Sequence, residues 1–209
     1  MRMLIRRKSI TNIMAVLDRR IKTINEIYSE ITFSKLKRIR LSLNFLDEAV
    51  KCFTHGFPIS CIVVSSALIE RTLFYEIRQR EPPKAGETMR HPNLGGLFLK
   101  LIDWNILHEK LLFRIERSGL KSMKEKCRSN NTIEDEIRRL RFIRTRNLFV
   151  HGKDLLIPIP LSHLLPEEEE AISNYGIERD EHINPSIETI SFVHLNRTLR
   201  FMKAYSEYI

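Results

Sequence analysis

The chain has 209 residues and a formal net charge of +9, from 35 Lys and Arg against 26 Asp and Glu. A chain of this length buries a sizeable core and needs no disulfide or metal staple. Its three cysteines, Cys52, Cys61 and Cys127, are an odd number without a CxxC pair, which argues against a disulfide framework or a zinc site and reads as reduced structural thiols.

The pattern is helical nearly throughout, with only seven glycines and no sustained strand-type alternation. The opening MRMLIRRKSI is basic but lacks the apolar stretch of a signal peptide, so a cytoplasmic location is expected. A first helix is expected over about 9–31, where Ile10, Ile13, Met14, Leu17, Ile21, Ile24 and Ile27 recur at steps of three and four. A second begins near Ser34 and ends at His55-Gly56. Pro58 then suits the first turn of a third, which runs to about Arg80 before Pro82-Pro83. This third helix is apolar on most sides and is expected to be central. Its apolar run, Ile59 to Ile69, stops at Glu70 and is too short to span a bilayer, so no membrane partner is expected.

One or two shorter helices are expected over about 93–112. Thr132 and Asp135 have capping-box spacing and open a further helix that runs to His151-Gly152. From Lys153 to about 185 lies an extended, partly irregular arm with Pro158, Pro160 and Pro166, the acidic run Glu167 to Glu170, and a short strand near Leu155 to Ile159. A last helix occupies about 186–208, entered through Asn184-Pro185. The sum is a single all-α domain: a bundle core over about 34–152, an added N-terminal helix, an arm and a final helix.

Charge is unevenly placed. Basic residues cluster at Arg2 to Lys8, Arg19 to Lys22, Lys35 to Arg40 and Arg138 to Arg146, whereas 167–188 is acidic. The basic excess attracts phosphate backbones without specifying sequence. The acidic stretch invites the idea of an arm folding over a basic face, against the simpler reading of a solvated loop.

In the helix from Thr132 to His151, the stripe Ile133, Ile137, Leu140 continues as Arg144, Asn147, His151. A packing stripe that turns polar marks a candidate site, because burying unpartnered polar groups costs about 1–3 kcal/mol each. Arg146 lies to the side, with a guanidinium long enough to reach the same place. A lone histidine in a last turn is commonly a helix-terminus residue, but here Arg146-Asn147-Leu148-Phe149-Val150-His151 stands together.

That string resembles the Arg-x4-6-His motif of the HEPN superfamily in its Arg-Asn-x-x-x-His form, and Gly152 is similar to the longer version ending in glycine. The helix carrying Ala67-Leu68-Ile69-Glu70 resembles the family's earlier apolar helix. The likeness covers roughly 40–152. It implies a HEPN-like helical bundle acting as a metal-independent ribonuclease in bacterial defence or toxin–antitoxin systems. Arg146 and His151 would be the catalytic pair, with Asn147 orienting the phosphate or the histidine. Glu70 would orient His151 or the nucleophile; the structural alternative is a salt bridge near Arg71 or to a basic residue of the motif helix. Arg144, with Arg141 and Lys153, would contact phosphate. The chemistry suits the residues: histidine exchanges protons near neutrality, and arginine offers a permanently charged fork to a phosphorane. No metal and no cofactor is expected. The implied partners are RNA, a second copy completing a composite site, and an antitoxin or other defence protein. The alternatives are a catalytically inactive HEPN bundle that binds RNA or protein, and a structural adaptor with an accidental motif.

Glycine-rich phosphate loops, HExxH spacing and the Glu-x-x-His pair of di-iron bundles are missing. The remaining histidines, including His55, His91, His108 and His194, share no spacing and read mostly as surface or cap residues.

Overall fold

The computed structural model describes residues 2–82, 96–97, 145–146, 159–160, 182–183 and 187–208. Apart from a two-residue ladder and the turns, these residues are helical, in keeping with an all-α fold.

Helix α1 spans Arg2–Ser29, longer at its start than the expected 9–31, because nothing in the basic opening breaks a helix. A tight turn follows, then a 3-10 helix at Lys35–Ile39 and helix α2 at Arg40–Thr54. The segment read as the first turns of the second helix is therefore wound with the shorter period. Helix α2 ends in a Schellman arrangement. Gly56 at φ +75° lets its N–H donate to Phe53 O at 3.1 Å and the Phe57 N–H donate to Cys52 O at 2.8 Å. Pro58 is at once the first residue of helix α3, Pro58–Arg80, so the α2–α3 corner is set by consecutive residues that only local chemistry requires.

Helix α3 packs between α2 and a final helix, α4, Ile187–Tyr208. By length and composition alone α3 could cross a bilayer, yet Cys61, Ile62, Leu68, Ile69, Leu73 and Ile77 are buried in the core as in a soluble bundle's inner helix. α4 is the more central of the two. Every residue from Thr189 to Leu199 is buried, so no face of that stretch is left to water. α3 is a core helix, as its apolar pattern suggests, and α4 is the more completely enclosed of the two. Thr189, Ser191, His194, Asn196, Arg197 and Thr198 lend α4 the composition of a surface helix, although the fold encloses it.

α1 lies along α4 in the same direction. Arg20 near its middle donates to Thr189 Oγ1 at 2.8 Å and sits 5.4 Å from the Phe192 ring centroid. Farther along, Lys203 donates to Glu30 at 2.5 Å. Leu97, in the helical pair Gly96–Leu97, joins the same core and agrees with a helix in the 93–112 region.

The arm contributes strand β1, Ile159–Pro160, paired antiparallel with β2, His182–Ile183, in the register Ile159 with Ile183 and Pro160 with His182. The expected strand near 155–159 thus sits at the far edge of that span, and its partner lies 23 positions on. The acidic run falls between them, outside the described residues.

Candidate active site

Glu70 lies one helical turn beyond Ser66 on α3, flanked by the buried Ile69 and Leu73. The neighbouring Arg71 points elsewhere and stacks 4.6 Å from the Phe45 ring centroid on α2, which takes it out of Glu70's reach as a partner. Glu70 instead accepts from Arg146, with Nη2 3.3 Å from Oε2, each side chain less than a fifth exposed. Arg146 belongs to a helical pair with Thr145, whose own side chain is buried. Of the two structural alternatives for Glu70, the ion pair to a basic residue of the motif helix is the one present.

Two of the four expected catalytic residues are therefore adjacent across 76 positions of sequence. The other two, Asn147 and His151, lie outside the described residues, as do the expected phosphate contacts Arg144, Arg141 and Lys153. The arrangement offers one permanently charged donor beside a carboxylate, mostly shielded from water.

α3 carries further polar contacts that its local pattern does not reveal. His194 is buried, not a surface or cap residue. Its Nε2 lies 2.8 Å from Ser66 Oγ. Ser66 donates its single proton to Ile62 O at 2.8 Å, so the contact to His194 requires the imidazole to donate from Nε2. Burial, and secondarily the charge of Arg197, pushes the His194 pKa down to about 3. A neutral imidazole donating to serine is the reverse of a base that activates a nucleophile. Ser66–His194 therefore joins α3 to α4. Lower down, Thr72 donates to Leu68 O at 2.9 Å and Tyr205 donates to the buried Glu76. The signal that could have found this layer is the Ser65, Ser66, Thr72 series, hydroxyls set into an otherwise apolar helix.

His55 does behave as a cap residue: it is exposed, and its Nδ1 lies 2.8 Å from Lys51 O at the end of α2. Cys52 and Cys61 are buried free thiols, whereas Cys127 lies outside the described residues. Among the described residues no cluster of three or more His, Cys, Asp or Glu is placed to hold a metal ion.

No family model, no curated protein and no solved structure matches this chain.

Proposed function

We propose that the chain is a HEPN-type, metal-independent RNA endonuclease of a bacterial defence or toxin–antitoxin system, with Arg146 and His151 as its catalytic pair. The observation that carries the reading is the 3.3 Å contact between Arg146 and Glu70. Each residue belongs to a different stretch of the motif resemblance, and the two are neighbours. The net charge of +9 supports a phosphate-rich substrate.

In this reading His151 accepts the proton of the RNA 2′-hydroxyl, whose oxygen attacks the adjacent phosphorus. The P–O5′ bond breaks, the leaving 5′-oxygen takes a proton from water, and a 2′,3′-cyclic phosphate remains. Arg146 stabilises the charge gathered on the phosphorane oxygens, and Asn147 orients the phosphate or the imidazole. Arg144, Arg141 and Lys153 hold flanking phosphates. Glu70 fixes the Arg146 fork, an orienting role rather than a proton-transfer role. The working form is a cytoplasmic homodimer with a composite site, held in check by an antitoxin or another defence protein.

RNA cleavage in EDTA, comparing wild type with Arg146→Ala and His151→Ala, tests this. Cleavage by wild type alone with cyclic phosphate ends is the expected result; intact RNA in all three reactions overturns it. The same Arg146–Glu70 contact favours one second reading, a catalytically inactive HEPN bundle, because the carboxylate offsets part of the guanidinium charge within one chain. RNA or protein binding that persists in His151→Ala without any cleavage would establish that alternative.

A further inference from the structure

At the α2–α3 corner three large apolar side chains stand together in water: Phe57 is 59% exposed, Ile59 51% and Val63 36%. Phe57 is rigidly placed. Its N–H donates to Cys52 O at 2.8 Å, its carbonyl accepts from the Cys61 N–H at 2.9 Å, and the following Pro58 restricts its backbone. An aromatic ring held on a backbone already fixed loses little conformational freedom when a planar group covers it.

Ile59 and Val63 lead from the ring along α3 toward Glu70. They lie eleven and seven residues before it, within about 40° of it around the helix axis and roughly 16 and 10 Å along that axis. The apolar residues and the Arg146–Glu70 contact thus share one side of one helix. No Asp or Glu stands between Glu48 and Glu70, and the exposed residues just before the ring are Lys51, Thr54 and His55. A polyanion meets attraction there and no repulsion. Three side chains fall far short of the roughly 20–30 residues a side of a stable protein interface, whereas one aromatic face with aliphatic neighbours suffices for a single base.

We propose that this corner holds an unpaired nucleobase of the RNA whose phosphate lies at Arg146. The base stacks on Phe57, the neighbouring sugar packs against Ile59 and Val63, and Lys51 meets an adjacent phosphate. A base inside a duplex cannot offer its face, so the corner selects an open strand. It selects no sequence, because every base has such a face. The proposal rests on the nuclease reading for the place of the phosphate.

Single-stranded RNA oligonucleotides carrying 2-aminopurine at each position in turn test it, bound in EDTA to the full chain in the His151→Ala background, with cleavage assayed separately in wild type. The probe should be quenched at one position of the strand. Phe57→Leu should abolish that quench and weaken binding about tenfold with the salt dependence unchanged, and Phe57→Trp should keep both. Lys51→Ala should instead reduce the slope of log affinity against log salt by about one. Far-UV circular dichroism checks that the variants fold, as substitutions at exposed positions should. RNA cleavage by wild type, with affinity and quenching indifferent to Phe57→Leu, overturns the proposal and leaves the nuclease reading standing. Binding that depends on Phe57 without any cleavage by wild type supports the corner and overturns the nuclease reading. Absence of RNA binding overturns both.

Discussion

Arg146 and Glu70 approach to 3.3 Å although 76 positions separate them, and neither side chain is more than a fifth exposed. A pair so placed lies between the weak surface type and the fully desolvated type. Glu70→Gln and Arg146→Met should each lower stability by about 1 kcal/mol, and the double variant should lose less than their sum by roughly 0.5–1 kcal/mol. Urea unfolding of the four proteins measures this. Strict additivity would mean that the contact contributes nothing to the fold.

His194 makes the fold acid-sensitive. Its folded pKa is held down to about 3 by burial and by Arg197, whereas an unfolded histidine titrates near 6.5. Between those values the unfolded chain binds a proton that the folded chain refuses. The stabilisation is therefore complete above about pH 6.5 and falls as pH drops toward 3, by about 1.4 kcal/mol per pH unit from this group. His194→Gln, which can still donate to Ser66, should flatten this slope in chemical unfolding between pH 4 and 6 (roughly the middle of the window). An unchanged slope would show that other groups dominate.

Gly56 occupies the left-handed region at φ +75°, and a Cβ placed there would meet no atom within 4 Å. Gly56→Ala therefore costs backbone strain without a clash, about 1 kcal/mol, visible as a modest fall in melting temperature. A much larger loss would point to a role for the corner beyond its geometry.

Burial raises the Cys61 thiol to about 11, outweighing its contact with Ser65 Oγ at 3.9 Å. The reactive thiolate is then scarce near neutrality. Iodoacetamide labelling of the Cys61 peptide, followed by mass spectrometry, should proceed only as fast as the chain opens and should rise sharply in denaturant. Rapid labelling of the native protein would contradict the described packing.

The parts of the fold written in adjacent residues were legible. Gly56 and Pro58 locate the α2–α3 corner, and Pro82 the end of α3, because helix stops depend on local backbone chemistry. The start of α1 is not marked in the same way, since a basic run of good helix formers carries no stop signal. The enclosure of α4 is not legible in its pattern, because seven of its buried residues are polar and owe their burial to partners far away in sequence. His194 shows the same problem in one residue: only the position of Ser66 reveals why an imidazole is there. Within the candidate site, Glu70 and Arg146 were found as separate features of two helices, but their contact depends on how those helices meet.

α4 binds its partners over long stretches of chain: Arg20 to Thr189 spans 169 positions, Ser66 to His194 spans 128, and Glu76 to Tyr205 spans 129. Each of these closures costs loop entropy before any packing is gained, so the transition state for folding should form late and include α4. During synthesis, α1, α2 and α3 leave the ribosome with their inner faces bare and must wait for the segment at 187–208. That interval is when a chaperone would find its binding surface, and a chain stalled before it would be a substrate for proteolysis rather than a partly working protein.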